Sequence, residues 1–384
     1  MARAPVYLDY HATTPVDPRV LDAMLPYFTQ DFGNAASSTH AWGWRARDAV
    51  EAARREVAAL LGAQPREIVF TGGATESNNM AIHGVTTTAP SSRRHIIVSA
   101  IEHKSVLEPA QHLTAGGWRV TVAPVHHDGR IDLDALGGTI GDDTALVSVM
   151  AANNEIGVLQ PLAEISALAH ARGSLLHVDA AQAAGKVPID VHKDGIDLLS
   201  LTAHKMYGPK GAGVLFVRKR LEISALVTGG GHEHGLRAGT MNVPGIVGLG
   251  RACGICREEM PAEASRLGRL RDRLLAGLRA GLDGLTVNGS LEHRLPNNLH
   301  VSFDGVDGES LLVGISDIAV SSSSACTSAS GTPSHVLSAI MHSDPVPSAS
   351  IRFGLGRFTT DDDIEYAIEK FVAVVRHLRN MAPV

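Results

Sequence analysis

Five short apolar runs, each closed by polar or ionisable residues, constrain this chain more than any other feature. They are "EIVFT" (67–71), "HIIVSA" (95–100), "ALVSVM" (145–150), "LLHVDA" (175–180) and "LLSLTA" (198–203). Near-continuous apolar character over so few residues predicts strands covered on both faces. Helical patterns lie between them, as in "PLAEISALAHARG", where Gly173 is expected to end a helix. This alternation predicts an α/β fold: a mostly parallel sheet with helices on both faces.

The pattern changes after a long helical segment over roughly 244–282. Beyond it come "LTVNG", "NNLHVSF", a helix near 309–315, a Ser-rich stretch, a helix near 334–341, "SASIRFGLG" and a last helix from about 361 to 380. We therefore expect a large domain over 13–252. A small α+β domain takes 1–12 and 253–384 and carries a mobile loop at 321–332. That loop includes "SSSSACTSAS", where Cys326 sits among small residues that offer few apolar contacts.

Composition excludes several function classes. With 44% hydrophobic and 19% charged residues in 384, the chain can bury a sizeable core. A formal net charge of -6 argues against direct nucleic-acid binding, which favours a basic surface. No apolar run approaches the roughly 18 residues that span a bilayer. The start, "MARAPVYLDYHATTPVD", lacks the charged-then-apolar order of a secretory signal. Three cysteines do not make a disulfide framework. A cytoplasmic protein with reduced thiols is expected.

In open parallel sheets, ligands bind beyond the carboxyl ends of the strands. Here those ends carry "GGATES" (72–77), "IEHK" (101–104), "AANNE" (151–155), "DAAQ" (179–182) and "TAHKMYGPKG" (202–211). "TGGATES" sets a Gly turn before a helix start, whose N–H groups and dipole favour an anion. It lacks the Gly-Lys-Ser/Thr of a nucleotide P-loop, so a small phosphate is expected. An ordinary capped helix start would look the same. Asp179 ends an apolar strand, where a carboxylate is costly unless paired; it suits either a helix N-cap or a cationic ligand nitrogen. Lysine is scarce, seven against 27 arginines, and Lys205 lies just past a buried strand. Desolvation there favours a neutral, Schiff-base-forming amine, although a surface lysine is the plainer alternative. A phosphate cup, a carboxylate for a pyridine nitrogen and such a lysine together match pyridoxal 5'-phosphate.

The motifs "FTGGATESNNMAI", "EHKSVL", "MAANNEIG", "HVDAAQAAGKVPID", "LTAHKMYGPKGAGVLF", "GGGHEHGLRAGTMNVPGIVGLG", "SSSSACTSAS" and "SIRFGLGRFT" resemble the cysteine desulfurases of the NifS/IscS type, in the class V aminotransferase group of fold-type I pyridoxal phosphate enzymes. The resemblance runs from Tyr7 to about Arg379. It implies Lys205 as the Schiff-base lysine, Asp179 against the pyridine nitrogen and Gln182 on the ring hydroxyl. His103 would stack on the ring and move protons. Ala74, Thr75, Thr202 and His204 would hold the phosphate. Thr240 would reach the phosphate of a second subunit, which implies a homodimer. Asn154 and Arg352 would take the substrate carboxylate, a role that suits the guanidinium fork. Cys326 would receive sulfur from L-cysteine as a persulfide and pass it to an acceptor protein. Within the family that sulfur serves iron–sulfur cluster assembly, tRNA thiolation or DNA phosphorothioation. His11, Ala203 and Ser323 depart from residues usual in the family.

Rival readings remain at the sequence level. Another pyridoxal phosphate lyase or aminotransferase, such as a selenocysteine lyase, would share the cofactor residues. A metal-binding hydrolase would have to use "GHEHG" (231–235), but His232 and His234 cannot share a helix face there, and no metal is expected. Cys253 and Cys256 form a C-x-x-C inside a helical run without a second pair, so buried helix cysteines are expected over zinc.

Overall fold

The computed structural model describes residues 5–322, 334–342 and 344–381. A short strand, β1 (Val6–Tyr7), opens it. Seven strands follow: β2 (Ile68–Thr71), β3 (His95–Ser99), β4 (Arg119–Ala123), β5 (Thr144–Met150), β6 (Leu175–Asp179), β7 (Leu198–Thr202) and β8 (Gly213–Val217). They form one sheet in the order β2-β8-β7-β6-β5-β3-β4. The β4–β3–β5–β6–β7 neighbours pair in parallel, and β8 runs antiparallel to both β7 and β2. All five strands expected from the apolar runs are present, and the α/β class holds.

Two strands had not been expected. β4 sits at the sheet edge with mostly half-exposed residues, so it shows no apolar run. β8 begins within "GPKGAGVLF" and returns directly from β7, because an antiparallel neighbour needs no crossover helix. The loop between them, 203–212, therefore stays at the carboxyl end of the sheet. It carries both Lys205 and Lys210. The helix after β5 spans Leu162–Ala171, and Gly173 follows its cap in a left-handed conformation, φ 65°.

The remaining strands are β9 (Leu285–Val287), β10 (Asn298–Phe303), β11 (Ile318–Ala319), β12 (Ser321–Ser322) and β13 (Ser350–Gly354). Four make a sheet in the order β12-β13-β10-β9, and β11 pairs in parallel with β1. Ser321 and Ser322, expected in a mobile loop, instead pair with Arg352 and Ile351 as β12. The rest of that stretch, including Ser323 and Cys326, lies outside the described residues.

The long helix Val243–Gly281 joins the two sheets. Its first half packs Val243, Leu249, Cys253 and Cys256 into the apolar cluster of the seven-stranded sheet, with Val147, Val178, Leu201 and Phe216. Its second half packs Leu267, Leu274 and Leu278 into another cluster with Leu8, Phe303, Phe353 and Phe371. Phe371 anchors that second cluster, its ring centroid 5.9 Å from Phe303 and 4.9 Å from Phe353. Burial pushes the Cys253 thiol up and the Cys256 thiol to about 11, so both remain protonated packing groups. No helix among the described residues is long and apolar enough to cross a membrane.

Candidate active site

A cavity of about 740 Å³ opens at the carboxyl end of the large sheet. Ala74, Thr75, His103, Asn154, Asp179, Gln182, Thr202, His204, Lys205 and Arg352 all line it. The structure thus gathers ten expected residues from five strand ends and the second sheet. Thr240 is exposed and does not line this cavity. Cys326 falls outside the described residues.

The helix Ala74–Thr88 points its first turn at the cavity, and its N-cap, Gly73, offers no side chain to its N–H groups. Gly73 stands at φ 150°, and a Cβ added to Gly213 on β8 would meet its Cα at 2.5 Å. Glycine at both positions lets the strand run directly beneath the turn. Glu76 would repel an anion here. However, Oε2 of Glu76 accepts from the Gly72 N–H at 2.7 Å, and Oε1 accepts from Arg237 Nε at 2.8 Å. Lys210 and Lys205 line the same cavity. They and the surrounding burial hold His204 down to about 4, hence neutral, with burial the larger cause. Its Nδ1 lies 3.1 Å from Thr13 Oγ1.

Asp179 closes β6 and is buried. Its Oδ1 accepts from the Ala181 N–H at 2.9 Å and its Oδ2 from Asn78 Nδ2 at 2.8 Å. Asn78 Nδ2 also reaches Ser105 Oγ at 2.9 Å, and Ser105 Oγ lies 2.8 Å from His103 Nδ1. The Ser105 N–H donates to the same Nδ1 at 3.1 Å. Nδ1 is therefore an acceptor, and neutral His103 carries its proton on Nε2. Burial lowers the His103 pKa against the opposing pull of Asp179, which leaves a neutral ring able to accept a proton.

Lys205 Nζ donates to the peptide oxygen of Ala12 at 2.7 Å and to that of His11. Gln182 Nε2 donates to the same His11 oxygen at 2.9 Å, and its Oε1 faces His11 Nδ1 at 2.9 Å. His11 is fully buried, and its pKa is held well below the usual value, chiefly by desolvation. His11 thus packs inside the site. Arg352 reaches in from β13: Nη1 donates to the Asn154 peptide oxygen at 2.8 Å, and Nη2 to Asp9 Oδ1 at 2.7 Å and Ser321 Oγ at 2.8 Å.

Sequence reasoning missed Asn78, Ser105, Lys210, Asp9 and Ser321. Lys210 carried a usable signal, since it shares the post-strand segment with Lys205. "GHEHG" carried a misleading one: the buried residue is Glu233, which pairs with Arg54 at 2.7 Å and accepts from the Phe70 N–H at 2.7 Å.

An uncapped helix start among cations, a buried strand-end carboxylate and a lysine amine facing one cavity fit pyridoxal phosphate and define a pyridoxal-phosphate enzyme of the α/β class. Comparison with known proteins narrows this. The profile of the aminotransferase class-V family matches residues 6–367. The cysteine desulfurase IscS of Anaeromyxobacter sp. (strain Fw109-5) is 55% identical over 383 residues, covering 99% of this chain and 95% of that protein. A solved NifS-like protein superposes with a TM-score of 0.91 at 39% identity, over 97% of this chain and all of its own length. SspA in complex with cysteine superposes with a TM-score of 0.82 at 36% identity, over 92% of this chain and 100% of that one. The chain belongs to the class-V aminotransferases and, within them, to the pyridoxal-phosphate-dependent cysteine desulfurases of the NifS/IscS type.

Proposed function

We propose that this enzyme converts L-cysteine to L-alanine, gathers the sulfur as a persulfide on Cys326 and delivers it to an acceptor protein. The convergence of Lys205, Asp179 and the uncapped Ala74–Thr88 helix on one cavity carries this reading.

The helix start, with Thr202, His204 and Lys210, would hold the cofactor phosphate, and Asp179 and Gln182 would serve the pyridine nitrogen and the ring hydroxyl. The bound cofactor supplies an electron sink for the charge left when the α-proton departs. Lys205 would anchor the cofactor and then take that proton at Nζ, which the carbonyls of the His11–Ala12 turn hold in place. Arg352, with Asn154 beside it, seats the substrate carboxylate. His103 would give a proton from Nε2 and take one back there, with Nδ1 held by Ser105. The Cys326 thiolate attacks the substrate sulfur. An S–S bond forms as the C–S bond breaks, the electron pair stays on carbon, and a proton completes the methyl group of alanine.

The assembly we propose is a cytoplasmic homodimer with Thr240 serving the partner's phosphate. Its exposure, and that of Phe28 (58%), Phe32 (66%), Trp42 (50%) and Trp44 (48%), supports a large buried interface. Two domains, 13–252 and 1–12 with 253–384, form each subunit.

The test is Cys326→Ala. It should keep the cofactor's visible absorbance, and borohydride should still fix the cofactor to Lys205 by peptide mapping, while alanine release from L-cysteine stops. Undiminished alanine release would refute the persulfide step. A colourless protein that binds stoichiometric zinc would refute the whole reading.

A further inference from the structure

The expected bidentate seat on Arg352 is already taken. A guanidinium offers a carboxylate two paired edges, Nε with Nη2 and Nη1 with Nη2, and both need an Nη2 hydrogen. Here the two Nη2 hydrogens go to Asp9 Oδ1 at 2.7 Å and Ser321 Oγ at 2.8 Å. Ser321 Oγ in turn donates to Asp9 Oδ1 at 2.8 Å, which locks the trio. Nη1 is engaged by the Asn154 peptide oxygen, and Nε is buried with no partner among the described residues. Arg352 and Asp9 form an ion pair with side chains only 6% and 17% exposed.

We propose that Asp9 is a specificity-determining placeholder: it occupies the carboxylate seat of Arg352 until a substrate carboxylate exchanges for it. This rests on the reading of Arg352 as that seat. An incoming carboxylate must displace a like charge from a half-closed site, where the repulsion is poorly screened. An α-amino acid can offset this through its amine at the cofactor. A simple monocarboxylate has no such compensation and is excluded, so an anion-attracting cavity stays open to amino acids.

The experiment uses holoenzyme and two probes, propionate as competitive inhibitor and L-alanine as product, the latter followed by its shift of the cofactor absorbance. In Asp9→Asn the amide keeps a hydrogen bond to Arg352 and loses the charge. Propionate inhibition should tighten by about 10-fold and the KM for L-cysteine should fall, while L-alanine binding tightens by less. Asp9→Ser, which vacates more of the seat, should move all three the same way and serves if Asp9→Asn folds poorly. Propionate inhibition within about twofold of wild type in both variants, or a rise in the KM for L-cysteine, overturns the proposal; the rise would make Asp9 an orienting group instead. Arg352→Gln separates the two levels: if it leaves L-alanine binding unchanged, Arg352 is not the seat and the underlying reading fails first.

Discussion

The two ends of the cavity are built differently. At the cofactor end, Asp179, Asn78, Ser105 and His103 are linked by hydrogen bonds among groups carried by the large sheet and its helices. The Ser105 N–H, which also donates to His103 Nδ1, sets one tautomer of that ring. At the Arg352 end, β13, β12 and the segment after β1 meet, and the central contact is an ion pair whose carboxylate a ligand can imitate. A prebuilt end suits a cofactor that stays, and an exchangeable end suits a substrate that comes and goes. Changes at the first should therefore strike kcat, and changes at the second KM.

The largest effect is expected at the cofactor end. With Asp179 on the pyridine nitrogen as proposed, Asp179→Ala removes the charge that would stabilise the pyridinium form and should lower kcat about 10³-fold, a loss typical of a preorganised electrostatic partner. Asn78 retains Ser105 as an acceptor, so the fold should survive with Tm little changed. Single-turnover kinetics on cofactor-loaded protein measure it. A loss confined to KM would erase the contrast between the ends.

Next in size is Arg352→Lys. An ammonium cannot reproduce the planar fork that holds Asp9, Ser321 and the Asn154 oxygen together. Loss of one charge-assisted bond, about 1.5–3 kcal/mol, should raise the KM for L-cysteine roughly 10- to 100-fold with kcat within a few fold. Steady-state kinetics over a wide cysteine range separate the two constants.

How legible these ends were follows from where their parts lie in the chain. Lys205 and Asp179 stand directly behind apolar strands, and a polar residue there is conspicuous without any structure. The helix start after β2 was equally plain from its glycines. Asn78 could not be read, because its partners Ser105 and Asp179 lie 27 and 101 positions away. Asp9 meets Arg352 across 343 positions, and only folding of the chain start against β13 creates the pair. β8 was hidden for a related reason: its direction depends on the tight return from β7, and an apolar run carries no direction. In "GHEHG" the histidines drew attention, whereas burial made Glu233 the anchor through an arginine on a distant helix.

A subtler change tests whether the cofactor end acts as one chain. In the wild type, His103 Nδ1 accepts from the Ser105 N–H, so the Ser105 hydroxyl, itself accepting from Asn78, turns its own hydrogen toward Nδ1. That disfavours an imidazolium, which needs an acceptor at Nδ1. Asn78→Ala removes one of the two donors on Asp179, whose pull on the His103 ring then grows, so the His103 pKa should rise. The acidic limb of the kcat/KM profile should move up by about 0.5–1 pH unit, the equivalent of one ordinary hydrogen bond, with a roughly 10-fold loss near neutral pH. A profile that falls in height without moving would mean that Asn78 does not tune His103.

The smallest effect lies beneath that end. His177 precedes Asp179 on β6, fully buried, with Nδ1 2.7 Å from Ser148 Oγ on β5 and Nε2 3.0 Å from Ser200 Oγ on β7. Burial lowers its pKa to about 3. The unfolded chain binds a proton on this ring near pH 6.5 and the native protein does not, so stability is complete above that value and declines as the pH falls toward 3. His95 and His204 are lowered to about 4 and His300 to about 3, and they share the decline. The part due to His177 emerges by difference. Between pH 7 and pH 5 the wild type should lose about 2–4 °C more in Tm than His177→Gln, whose amide can still bridge the two serines. Equal losses in the two proteins would show that the bridge beneath Asp179 is not what acid attacks, and that the cofactor end draws its rigidity from the Asn78 chain alone.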